Sequence, residues 1–144
     1  MSRLSTYLNF PRSTEHAFIF YRSVFATEFA GAIQRFGDMP AAPGQPVLAG
    51  SDRNLVMHVE LPILGGHVLM GTDAPESMGF SLTPGNNVYI NLEPDTRAET
   101  DRLFSALAVG GGVEMPLQEM FCGGYFGTLA DRFGIRWMFN CSSK

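Results

Sequence analysis

The chain has 144 residues, 45% of them hydrophobic and 17% charged, with a formal net charge of −4. These proportions suit one globular domain with a sizeable core. The 10 Lys and Arg are scattered among 14 Asp and Glu, which argues against nucleic acid or an anionic membrane as partner. No apolar run reaches the roughly 20 residues of a membrane span, and the first residues lack the apolar stretch of a signal peptide. Two cysteines, Cys122 and Cys141, make no disulfide framework, so a reducing cytoplasm is the expected location.

Ser5 to Phe10 alternates and predicts a strand stopped by Pro11. Ser13 or Thr14 is placed to cap a helix with its hydroxyl, and Ala17, Tyr21, Val24 and Phe25 give that helix an apolar stripe. Glu28 to Phe36 reads as a strand. Gly37 to Asn54, with Pro40, Pro43 and Pro46, reads as a loop. Leu55 to Leu61 and His67 to Thr72 form a hairpin around Gly65-Gly66, and Ala74 to Asn86 is a link. Asn87 to Leu92 is the next strand. Thr96-Arg97-Ala98-Glu99 has capping-box spacing and opens a helix with Leu103, Phe104 and Leu107 inward, ended by Gly110-Gly111-Gly112. Val113 to Leu117, Phe126 to Ala130 and Ile135 to Cys141 are the closing strands.

The order is βαβββ twice, and the sequence repeats itself accordingly. Tyr7-Leu8-Asn9-Phe10 returns as Tyr89-Ile90-Asn91-Leu92, an offset of 82, and Gly66-His67-Val68-Leu69-Met70 resembles Gly134-Ile135-Arg136-Trp137-Met138, an offset of 68. The difference of 14 residues fits one insertion between Asp38 and Asn54. The predicted fold class is α+β, a single domain over 1–144 made of two pseudo-symmetric modules, 4–74 and 86–141, with a ligand cleft between related sheets.

Strand alternation places Leu8, Phe10, Met57, Val59, Leu61, Val88, Ile90, Leu92, Ile135, Trp137 and Phe139 against the helices. The opposite faces then carry Ser5, Tyr7 and Asn9; His58 and Glu60; Val68, Met70 and Thr72; Asn87, Tyr89 and Asn91; and Arg136, Met138 and Asn140. This set is polar, aromatic and Met-rich. It suits either a solvated face or the lining of a site for a small, partly apolar molecule.

Tyr7-Leu8-Asn9-Phe10 with Ala17-Phe18-Ile19-Phe20-Tyr21, Met57-His58-Val59-Glu60-Leu61 with Leu69-Met70-Gly71-Thr72-Asp73, and above all the segment Gly124 to Met138 resemble the PhnB-like branch of the vicinal-oxygen-chelate superfamily. That superfamily includes glyoxalase I, extradiol dioxygenases and bleomycin-resistance proteins. The resemblance implies paired βαβββ modules and a homodimer. Some relatives carry a ubiquinone-biosynthesis methyltransferase label, but no glycine-rich nucleotide loop follows a strand here. Metal-dependent members place His on the first strand of a module and Glu on the last. The corresponding positions here are Ser5 and Asn87, and Met70 and Met138. Thioethers are poor ligands for hard ions, so no cofactor is expected. His58 and Glu60 leave a divalent metal open.

The expectation is a cytoplasmic, homodimeric protein that binds a small molecule. Tyr7, Asn9, Met70, Tyr89, Asn91 and Met138 are candidate ligand contacts, with Glu119 on a loop as a further one. Asp73, recurrent in the branch, is either a ligand contact or a turn cap. His58 and Glu60 are the candidate catalytic pair, because imidazole changes charge near neutral pH and a carboxylate can fix its orientation. The alternatives are a lyase, isomerase or dioxygenase-like enzyme using that pair with or without metal, and an interaction module with a vestigial cleft.

Overall fold

Pro11 ends the first strand, and the chain turns directly into a helix. In the computed structural model, which describes residues 2–39, 44, 48 and 50–142, β1 (Thr6–Phe10) is followed by α1 (Thr14–Phe25). β2 (Gln34–Arg35), β3 (Val56–Pro62) and β4 (Val68–Asp73) complete the first βαβββ set. β5 (Ile90–Leu92), α2 (Arg97–Ala108), β6 (Gly112–Glu119), β7 (Tyr125–Ala130) and β8 (Arg136–Cys141) form the second. The chain divides into two units, Met1–Leu82 and Thr83–Lys144, and each holds one set.

Each unit has a four-stranded sheet of the same topology, β1-β4-β3-β2 and β5-β8-β7-β6. The first and last strands of each module run parallel, and the rest of the ladder is antiparallel. Register corrects the repeat. Leu8 lies beside Gly71, and Ile90 lies beside Trp137. An offset of 82 in the first strand therefore goes with 66 in the last strand, not 68. The structural counterpart of Met70 is Arg136, and that of Met138 is Thr72. The slip is two residues, so every side chain keeps its face.

α1 covers one face of its sheet. Gly71 points at it: a Cβ there would lie 2.8 Å from Phe18 Cζ and 3.1 Å from the Thr14 methyl group, so only glycine allows this approach. Leu8, Phe10, Val59, Leu61 and Leu69 are buried on this side with Ala17, Phe18 and Tyr21. In the second unit Gly127 plays the same part toward Phe104. Trp137, Phe139, Leu129 and Leu92 are buried with Leu103, Phe104 and Leu107, and the Phe104 and Phe139 rings meet edge-on at 5.4 Å.

The helix starts differ. Thr96 Oγ1 accepts from Glu99 N at 3.1 Å, as its spacing predicts. Neither Ser13 nor Thr14 caps α1: Ser13 makes no side-chain cap, and the Thr14 hydroxyl has no hydrogen-bond partner. The Asp73 carboxylate does the work from β4, its Oδ1 accepting from Thr14 N at 3.1 Å. Asp131 is likewise buried and accepts from Phe133 N, Ile135 N and Trp137 Nε1.

Three other expectations change. The strand expected over Glu28 to Phe36 shrinks to Gln34–Arg35, because Gly31 turns at φ 96° and Phe36–Asp38 forms a 3₁₀ turn. The strand expected from Asn87 begins at Ile90, and Val88, expected inward, is 73% exposed. Glu119 is the last residue of β6 rather than a loop residue. Much of the expected insertion, including Pro40, Pro43 and Pro46, lies outside the described residues.

β6 is an edge strand, exposed along most of its length, with Pro116 inside it and irregular register between Val113 and Met115 and between Met115 and Gln118.

Ion pairs set the acid response. Arg35 donates to both Glu15 oxygens at 2.9 and 2.8 Å and holds the Glu15 carboxyl below its ordinary range. The Ser77 hydroxyl and then Arg12 do the same for Asp52. The folded values lie below the unfolded ones, so this stability is fully present above the unfolded carboxylate range and is lost as pH falls through the folded values. The denaturant midpoint is expected to fall below about pH 4, with Arg35→Ala flattening that limb. A midpoint that rose on acidification would contradict the pairing.

Candidate functional site

The face of each sheet turned away from its helix gathers most of the candidate residues. On the first sheet, Tyr7 lies beside Met70 in β4, and Met70 lies beside Glu60 in β3, so the three form one row across the strands. His58 is two residues before Glu60 on the same face. Its Nε2 is 3.2 Å from Glu60 Oε2, and the Tyr7 and His58 ring centroids are 6.0 Å apart. Arg3 reaches Glu60 Oε1 at 3.5 Å, and the Ser5 hydroxyl donates to Met70 Sδ at 3.7 Å. His58 and Glu60 are half-buried, whereas Tyr7 and Asn9 are exposed. A partly desolvated imidazole–carboxylate pair beside an aromatic ring and a thioether can orient a polar group while offering apolar contact.

On the second sheet, Asn91 lies beside Met138, and Asn91 Nδ2 donates to Glu93 at 3.1 Å. Tyr89, just before β5, donates its hydroxyl to Glu114 Oε1 at 2.9 Å. Donation to a carboxylate favours the neutral phenol and raises the Tyr89 pKa. Arg136 Nε donates to Glu114 Oε2 at 3.1 Å, and Arg136 Nη1 donates to the Gly85 carbonyl at 3.2 Å. Alternation puts Arg136 on this face, but Glu114 is not among the residues it marks. Glu114 sits where the β6 register shifts between Val113 and Met115, and such an irregularity re-aims a side chain in a way that period-two counting misses.

Two candidates lie elsewhere. Asp73 is buried on the helix side, with Oδ1 taken by Thr14 N and Oδ2 by Val56 N at 2.8 Å. Its carboxylate ties α1 and β3 to β4. Glu119 is exposed and pairs with Arg97 at 3.3 Å.

The His58 cluster offers one imidazole and one carboxylate as metal donors. Among the described residues no three of His, Cys, Asp and Glu converge. Met70 beside Glu60 offers a thioether, and Glu60 already faces Arg3. The register-corrected last-strand positions hold Met70 with Arg136 and Thr72 with Met138, so no carboxylate stands at either pair. Among the described residues no helix is long and apolar enough to cross a membrane.

Residues 2–139 match the family model described as 3-demethylubiquinone-9 3-methyltransferase. The chain is 33% identical to protein PA1353 from Pseudomonas aeruginosa, with all of both chains covered and a TM-score of 0.84. It is 29% identical to a PhnB protein from Bacillus cereus, covering 97% of this chain and 99% of the other, with a TM-score of 0.69. A glyoxalase/bleomycin resistance protein/dioxygenase family enzyme from Burkholderia phytofirmans PsJN shares the fold at 23% identity, over 98% of this chain and 99% of the other, with a TM-score of 0.65. Paired βαβββ modules, matched sheet topology and a family match over nearly the whole chain agree: the protein belongs to the PhnB-like family and has the glyoxalase/bleomycin resistance/dioxygenase fold.

Proposed function

We propose that the protein binds a small, partly apolar molecule on the open faces of its sheets. The observation that carries this reading is the His58–Glu60 pair, 3.2 Å apart and flanked by the Tyr7 ring on a face that α1 does not cover. Tyr7 and Met70 supply apolar contact, His58 and Asn9 supply orienting hydrogen bonds, and Glu60 fixes the imidazole. Tyr89, Asn91 and Met138 play the same parts on the second sheet. No resident metal is needed for this recognition.

His58→Ala is expected to weaken a ligand found by screening about fivefold to tenfold, the usual worth of one hydrogen bond, while leaving the urea midpoint nearly unchanged. A large loss of midpoint with unchanged affinity would make His58 structural and sink the reading. The hydrogen-bonded His58–Glu60 pair also favours a second reading, an enzyme of lyase or isomerase type in which Glu60 orients His58 as the proton-transfer group. Turnover of the screened ligand that His58→Ala abolishes would select it.

The assembly we infer is a two-fold homodimer in the cytoplasm. The support is the family and the exposed apolar side chains Val113, Met115 and Phe121, which take no part in the proposed site. Light scattering is expected to give twice the 15.8 kDa chain mass. A mass that stayed at that of one chain over a wide concentration range would overturn the dimer.

A further inference from the structure

Glu114 gathers Tyr89 and Arg136 onto one carboxylate, and Arg136 also reaches back to the segment before β5. A guanidinium has five N–H groups. Among the described residues, Arg136 commits Nε to Glu114 and one Nη1 hydrogen to the Gly85 carbonyl, and its guanidinium also meets the Tyr89 hydroxyl. The remaining donors stay in the same rigid plane. The half-buried Arg136 side chain forms one wall of an open recess of about 340 Å³, completed by Pro84, Gly85 and Asn86. That volume falls in the range of about 300–1,000 Å³ typical of small-ligand sites. The other three residues bring no charged side chain, so Arg136 is the recess's own charge.

We propose that this recess binds the carboxylate of a small organic acid, with Arg136 as its anchor. The proposal rests on the small-molecule reading above but on different residues. A guanidinium already held at two points loses little freedom on meeting a ligand, and its planar fork matches a carboxylate edge. Glu114 sets the class of anion. It stands 3.1 Å from the guanidinium and offsets much of its charge, so a second anionic charge on a ligand gains little here. With net charge offset, the flat edge of a carboxylate meets the plane of the guanidinium, and the second charge of phosphate brings no advantage. Glu114 is also an internal competitor, because its own carboxylate occupies the Nε edge that an incoming acid would otherwise take.

Benzoate titrated into the full-length, ¹⁵N-labelled protein tests this, with benzamide as the uncharged isostere and inorganic phosphate, present near neutral pH as monoanion and dianion together, as the tetrahedral comparator. The readouts are the Gly85 and Asn86 amides and the Arg136 Nε–H. Saturable benzoate shifts at these groups are expected, with benzamide and phosphate at least about fivefold weaker. R136Q should weaken benzoate about tenfold or more, and E114Q should tighten it. If R136Q does not fold, R136K decides: it keeps a point charge but loses the fork, and is expected to weaken benzoate several-fold. Shifts that persist unchanged in the Arg136 variant, or phosphate or benzamide binding as tightly as benzoate, would overturn the proposal. Absence of benzoate shifts in the wild-type protein would overturn it alone, because the His58 face is judged separately by the screened ligand and His58→Ala.

Discussion

Trp137→Ala is expected to destabilise the protein by about 3–5 kcal/mol, the range for removing a fully buried large aromatic side chain. Trp137 is wholly buried on β8, lies between Ile90 and Leu129 in the ladder, and donates its ring N–H to Asp131 Oδ2 at 2.9 Å. The substitution removes packing on the α2 side and one of the bonds that hold the Asp131 turn. Urea unfolding followed by circular dichroism measures it, since this is the one tryptophan in the chain and fluorescence disappears with it. Trp137→Phe should lose less, because most of the ring volume stays. A loss under about 1 kcal/mol for the alanine variant would mean that the site collapses freely around the missing ring.

Asp73→Asn is the second large effect. Both Asp73 oxygens accept from backbone N–H groups, Thr14 at the start of α1 and Val56 at the start of β3. An amide can present only one acceptor, so its NH₂ must face one of these donors. Hydrogen bonds to a charged group are worth about 1.5–3 kcal/mol each, and the carboxylate also meets the positive end of α1. The expected loss is about 2–4 kcal/mol, read as a shift of the urea midpoint, with ligand affinity unchanged. Unchanged stability with lost affinity would return Asp73 to a ligand-contact role.

How much of this was legible in the chain varies by element. Both helices, the β3–β4 hairpin and most of the two sheet faces follow from periodicity, but Val88 is exposed and Val56, rather than Met57, is buried at the start of β3. Their core residues are large and apolar, and nothing competes with them. The Asp73 cap was not legible as a cap of α1, because its acceptor comes from 59 residues away and Ser13-Thr14 supplies a plausible local signal instead. Glu28 to Phe36 misleads in a similar way: Phe29, Ile33 and Phe36 look like strand residues, yet Gly31 turns the chain and Ala30 N bonds Glu60 O outside the ladder. The repeat revealed the architecture but not its register. Similar short phrases tolerate a two-residue slip, because the slip leaves every face unchanged. At the candidate site, the His58–Glu60 pair was visible as two residues on one strand face, whereas the Glu114 contacts depend on a strand irregularity.

The build of β6 also bears on how copies of this chain behave when crowded. An open strand offers a row of unused amide and carbonyl groups on which a neighbour's strand can lay itself, and repetition of that step gives a fibre. Pro116 brings no N–H donor to the strand, and the register shifts on either side of Met115 break its spacing. A neighbour would find only short, mismatched stretches to grip. The apolar side chains of this strand can therefore remain exposed with less risk of runaway stacking, and self-association is steered toward finite assemblies built through side chains.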